Sequence, residues 1–96
     1  MISDAYILNI KNYFTEQPVK KAYVFGSFAR QEQTENSDLD ILVELDYSKP
    51  IGLQFVGMKL DLEELLGEKV DLVSANGVSK HVMPFIDKDK ILIYER

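Results

Sequence analysis

Tyr23-Val24-Phe25-Gly26-Ser27-Phe28-Ala29-Arg30 and, after a short polar run, Ser37-Asp38-Leu39-Asp40-Ile41-Leu42-Val43 decide how the rest of the chain is read. The first piece is a β-branched and aromatic strand that stops at Gly26-Ser27. A helical turn follows, Phe28 to Gln31, and then a mobile polar stretch from Gln33 to Asn36. The second piece is the strongest strand of the chain, Asp38 to Leu45. Its nearly continuous apolar run from Leu39 to Val43 requires burial on both faces, so it belongs at the centre of a sheet.

Working outward, residues 3 to about 15 read as a helix capped by Ser3 or Asp4. Tyr6, Ile7, Ile10, Tyr13 and Phe14 share one face at helical spacing. Core packing is the favoured role of the two tyrosines, over stacking on a base. Pro18 closes that section, and Lys21 to Phe25 is the first strand. Asp46 to Pro50 is a turn. Residues 52 to 66 form a helix ended by Gly67. It carries two apolar stripes: a broad one of Phe55, Met58, Leu62, Leu65 and Leu66, and a narrower one of Leu53, Val56 and Leu60 roughly opposite. One stripe serves the core; the other is covered by the first helix or is a partner surface. Lys69 to Ser74 is a third strand and Asn76-Gly77 a turn. Ser79 caps a last helix from about Lys80 to Lys88, and Ile91 to Tyr94 is a closing strand. This order predicts an α/β (α+β) fold, a small sheet flanked by helices.

The chain's 96 residues suit one domain, 1–96, and leave no length for a second substrate domain. About 60–65% of the unfolded surface is buried at this size. A net charge of −5, from 16 acidic and 11 scattered basic residues, argues against binding a nucleic acid polymer. Cysteine is absent, which removes thiol catalysis and disulfides. The start lacks the pattern of a signal peptide, and no apolar run approaches a membrane span. A cytoplasmic protein is expected.

The chemistry rests on four acids and bases around a turn. Asp38 and Asp40 lie two apart on a strand, about 6.6 Å at Cα, and so share a face. Together they can take a hard cation such as Mg²⁺, which prefers oxygen ligands and shares itself with phosphates. Alternatively, Ser37-Asp38 is simply a turn. Carboxylates on a strand this apolar are costly unless paired, cation-bound or opening on solvent. Asp71, inside Val70-Asp71-Leu72-Val73, adds a third. Gly26-Ser27, with a helical start behind it, exposes backbone N–H groups to an anion, and Arg30 can reach the same place. An ordinary strand-to-helix turn with Ser27 as N-cap is the competing view. Glu63-Glu64 and Glu68 read as a solvated helix face, His81 as an exposed helix position, and the run Asp87 to Lys90 as a charged turn.

Phe25-Gly26-Ser27-Phe28-Ala29-Arg30, then Ser37-Asp38-Leu39-Asp40-Ile41-Leu42-Val43-Glu44, then Leu65 to Val73 resembles the polymerase-beta-type nucleotidyltransferase superfamily. The finer pattern resembles its minimal nucleotidyltransferase (MNT) group, which includes antitoxins paired with HEPN-type toxins. The resemblance covers nearly the whole chain. It implies that Gly26 and Ser27 cradle the β- and γ-phosphates of ATP, and that Asp38, Asp40 and Asp71 hold two Mg²⁺ ions. By the same resemblance Arg30 and Ser37 would be further phosphate contacts or supports. AMP would move to a hydroxyl of a partner protein, a HEPN-type toxin, as a homo- or hetero-oligomer. The alternatives are a binding module that neutralises its partner by contact, and a small-molecule nucleotidyltransferase. In one place the pattern departs: the group usually has glycine after the arginine, and here stands Gln31. The exit of the helical turn is where that matters.

Overall fold

The computed structural model describes residues 4–96; the proposed Ser3 cap lies outside them. The elements are α1 (Asp4–Phe14), β1 (Val19–Phe25), α2 (Gly26–Ala29), β2 (Leu39–Leu45), α3 (Gln54–Leu66), β3 (Val70–Ser74), a 3₁₀ turn (Ala75–Gly77), α4 (Met83–Asp89) and β4 (Ile91–Glu95). The strands form one mixed sheet in the order β3-β2-β1-β4. β2 runs parallel to β3 and antiparallel to β1, and β4 is antiparallel to β1. The expected fold class is the observed one, and β2 is an inner strand.

Alternation along β2 divides the molecule. Leu39, Ile41, Val43 and Leu45 face a core built with Ile10 and Phe14 of α1 and Met58, Leu62 and Leu66 of α3. Leu42 faces the other side, with Tyr23 of β1 and Ile86 of α4. Burial of both faces is the reason the Leu39–Val43 run is almost continuously apolar. The tyrosines of α1 serve packing. Tyr6 donates to the Leu66 carbonyl at 3.1 Å and Tyr13 to Asp61 Oδ2 at 2.6 Å, tying α1 to α3.

Boundaries differ from expectation where pairing overrides local preference. β1 begins at Val19, because Val19 pairs with Leu45 across a bulge. β2 begins at Leu39 and leaves Asp38 just before the ladder. α4 starts later than expected; Ser79 accepts the Val82 N–H at 3.3 Å and so closes the turn that precedes the helix. Glu63 is not solely solvated: its Oε2 accepts the Val70 N–H at 3.0 Å and fixes the start of β3. Leu65, assigned to the core stripe, is 46% exposed, because only Met58, Leu62 and Leu66 of α3 point straight at the sheet. The narrow stripe is not covered by α1: Leu53, Val56 and Leu60 are 88%, 53% and 56% exposed. No helix among the described residues is long and apolar enough to cross a membrane.

The exit of α2 explains Gln31. The Gln31 N–H donates to the Phe28 carbonyl at 3.2 Å and the Glu32 N–H to the Ser27 carbonyl at 2.8 Å. This is the paired bonding of a Schellman turn, whose first residue past the helix cap is left-handed and most often glycine. Gln31 occupies it with φ 59°, the only non-glycine residue with positive φ among those described. At the end of α3 the equivalent residue is Gly67, φ 67°. A side chain in this conformation costs on the order of 1–2 kcal/mol, partly offset by the entropy a glycine loses on folding. Gln31→Gly is therefore expected to raise stability by about 0.5–1 kcal/mol, read as a higher midpoint in urea unfolding with an unchanged slope. A lower midpoint would contradict the assignment of strain to this residue.

Candidate active site

The site forms where β1 ends and β2 and β3 begin. Phe25 lies opposite Asp40 across the β1–β2 ladder, and Asp40 lies beside Asp71 across the β2–β3 ladder. Since Leu39 and Ile41 point into the α1–α3 core, Asp40 points to the opposite face. Val70 and Leu72 likewise set Asp71 on that face. Adjacent strands stand about 4.8 Å apart, so the two carboxylates begin as next neighbours. Asp38 lies two residues upstream of Asp40, exposed at the mouth.

Gly26 is the fourth member. The strand turns directly into α2 at this residue, φ +71°. A Cβ built on Gly26 would run into the Asp40 carboxylate, with the Asp40 Cγ at 3.2 Å and Oδ2 closer still. Only a hydrogen fits between this backbone and that carboxylate. Ser27 sits within the first turn of α2; the N-cap position belongs to Phe25, and no side chain caps the helix. The first N–H groups of a helix have no partner inside it, so this turn offers donors beside the acids.

The acids interact. The Asp40 carboxyl is pushed up to about 6, first by burial, then by the charges of Asp71 and Asp38, with Arg30 pulling the other way. A carboxylate that is partly desolvated and flanked by two like charges gains from a cation. The donors are hard oxygens, as Mg²⁺ prefers. Among the described residues no three acidic, histidine or cysteine side chains are gathered into a ready-made metal cage.

The remaining candidates divide. Arg30 is on the rim and already engaged, with Asp89 Oδ2 at 2.6 Å and Glu32 Oε2 at 3.1 Å. Ser37 is turned into its own loop, where its Oγ accepts the Thr34 N–H at 2.9 Å. His81 is exposed in the turn before α4. The run Asp87 to Lys90 is not the free charged turn expected. Asp89 reaches Arg30, and Lys90 lies over the Tyr23 ring, 4.6 Å from its centre, while pairing with Asp87. One available signal for Asp89 is that an acid at a helix C-terminus opposes the helix dipole.

The chain is similar to known proteins over most of its length. The family model described as "Polymerase beta, Nucleotidyltransferase" matches residues 8–96. A Methanocaldococcus jannaschii relative provisionally named protein adenylyltransferase MJ0435 is 47% identical over 74 residues, 77% of this chain and 73% of its own. Among solved structures, one described as a toxin-antitoxin with AMP-PNP superposes with a TM-score of 0.80 at 21% identity, covering 94% of this chain and 73% of that one. Another, described as a tri-AMPylated Shewanella oneidensis HEPN toxin in complex with MNT antitoxin, gives 0.65 at 18% identity, covering 95% and 73%. At these identities the two structures establish a common fold.

The raised Asp40 carboxyl makes a stability prediction. Unfolded, the group titrates near 3.8; folded, near 6. Between those values the folded state holds more protons, so stability falls as pH rises and stays lowered above the window. Asp40→Asn should therefore make the metal-free protein more stable at pH 7.5, by about 1–2 kcal/mol once partial solvent screening is discounted. The gain should shrink as pH falls below about 6 and vanish only below 3.8. Thermal unfolding of both proteins across this range checks it; a gain that does not depend on pH would show that the carboxylate carries no ionisation penalty.

Proposed function

Because the chain belongs to the polymerase beta nucleotidyltransferase family, matched over residues 8–96, we propose that it moves AMP from ATP to a hydroxyl on a partner protein, a HEPN-type toxin that is silenced by the change. The observation that carries this reading is Asp40 standing between the Gly26 turn and Asp71. Phosphate donors on one side of the acid and a third carboxylate on the other are what an in-line transfer at phosphorus needs. The relative named as a protein adenylyltransferase supports the choice of AMP and of a protein acceptor. The toxin-bound neighbours support the kind of partner.

In this reading the backbone N–H groups at Gly26 and Ser27 bind the β- and γ-phosphates, and Arg30 adds charged donors. Ser37 steadies the loop that leads into Asp38. The acceptor oxygen attacks the α-phosphorus as the bond to the β-phosphate oxygen breaks, and pyrophosphate leaves. Asp71 faces the incoming hydroxyl and favours loss of its proton. Asp38, Asp40 and Asp71 would hold Mg²⁺, two ions in the full arrangement, which supplies charge stabilisation at the attacking and leaving oxygens. The protein's own share is orientation and a fixed electrostatic setting.

A second reading has its own observation. The exposed Leu53, at the N-cap of α3, and Val56 and Leu60 within it can bind a partner without chemistry. Neutralisation by contact alone would use that surface and leave the acids idle. The Asp38→Asn, Asp40→Asn double variant separates the two. AMP transfer to the partner, read as an intact-mass increase with Mg²⁺ and ATP, should fall by on the order of 10³-fold or more, equivalent to about 4 kcal/mol at the transition state. Full transfer by the double variant would sink the catalytic reading. Undiminished neutralisation without transfer would favour contact.

A further inference from the structure

We infer that Asp89, at the end of α4, is a positioning residue that holds the Arg30 guanidinium ready for the triphosphate. The inference rests on the reading of the Gly26–Arg30 turn as the phosphate cradle.

Arg30 is the C-cap of α2, one short turn from Gly26. Its Nη1 meets Asp89 Oδ2 at 2.6 Å and its Nε meets Glu32 Oε2 at 3.1 Å. A guanidinium has five N–H donors in a rigid fork. Two are engaged here, so three remain for a ligand. The two acids differ in kind. Glu32 belongs to the same loop as Arg30, and its side chain is 59% exposed; Asp89 comes from another element and is only 19% exposed. The Asp89 contact is thus the shorter, drier one, and it ties the cradle to α4.

Asp89 has no local reason to be acidic. It is the last residue of α4, where a negative charge opposes the helix dipole. An ion pair whose arginine is 46% exposed adds little to stability. Its effect falls on Arg30 itself, a long side chain with much rotamer freedom to lose. Ordering it before the nucleotide arrives removes that loss from binding. The position matters too, since Arg30 lies within electrostatic reach of Asp40. The Arg30 fork caps the same short turn whose first residue, Gly26, lies against the Asp40 carboxylate.

The test compares ATP with AMP, because AMP lacks those phosphates. Calorimetric dissociation constants for each with Mg²⁺, together with initial rates, are measured for the full chain and for Asp89→Ala, Asp89→Glu, Arg30→Ala and the Asp89→Ala, Arg30→Ala pair. Asp89→Ala should weaken ATP binding and raise its KM by about tenfold, leaving AMP affinity and kcat within about twofold. Its thermal midpoint should not fall. Asp89→Glu should recover most of the ATP affinity, and the double variant should be no worse than Arg30→Ala, as expected for two residues acting through one contact. Equal weakening of ATP and AMP would mean a structural role and overturn the proposal. Tighter ATP binding in Asp89→Ala would make the pair a latch and overturn it as well. If Arg30→Ala weakens ATP but Asp89→Ala does not, the cradle stands and the positioning role falls. If neither weakens ATP, the phosphate role of Arg30 falls and the positioning role with it.

Discussion

One close approach organises this protein: the backbone of Gly26 against the carboxylate of Asp40. It requires β1 to end opposite the second residue of β2, and it requires a residue without Cβ at that end. The register Val24↔Ile41 and Phe25↔Asp40 supplies the first condition. The same register turns Leu39, Ile41 and Val43 into the α1–α3 core, so the hydrophobic packing that stabilises the sheet also aims Asp40 outward. A slip of one residue would bury the acid and turn Leu39, Ile41 and Val43 out of that core. Folding and site geometry are therefore one constraint.

The two faces of the sheet divide the labour unequally. One carries the large core under α1 and α3. The other is covered only in part, by α4 and the 3₁₀ turn through Tyr23, Leu42 and Ile86. The carboxylates occupy the uncovered end of that second face, where Asp71 and Asp38 are exposed and Asp40 is half-buried. A charged cluster in the closed core would have had to lose its charge. At the rim it keeps the charge at the expense of mutual repulsion. α4 reaches this rim through the Asp89–Arg30 ion pair, so the element that closes the second face is also tied to the Gly26–Arg30 turn.

Much of this was legible in the residues, for physical reasons. The continuous apolar run Leu39–Val43 marked an inner strand because alternate residues must satisfy two covered faces. Gly26-Ser27, Asp38, Asp40 and Asp71 stood out because acids on apolar strands are costly without a purpose, and their spacing resembled a known family. Gln31 stood out as a departure, and the left-handed Schellman position it fills shows why glycine is usual there. Less legible were contacts between residues far apart in sequence. Asp89 and Arg30 are 59 residues apart, and Tyr13 and Asp61 are 48 apart; neither pair has a local pattern. Leu65 fitted a helical stripe yet remains exposed, since a stripe does not say where the sheet's edge falls.

The sequence by itself determined the element types, the central strand, the family and the residues worth suspecting, because periodicity, turn chemistry and the cost of buried charge act locally. Only the tertiary structure decided that Asp40 lies against Gly26 and beside Asp71, that Arg30 is held by Asp89, and that Leu53, Val56 and Leu60 stay open to solvent. These depend on strand order and register, which are set by the summed packing of distant side chains and have no single local signal.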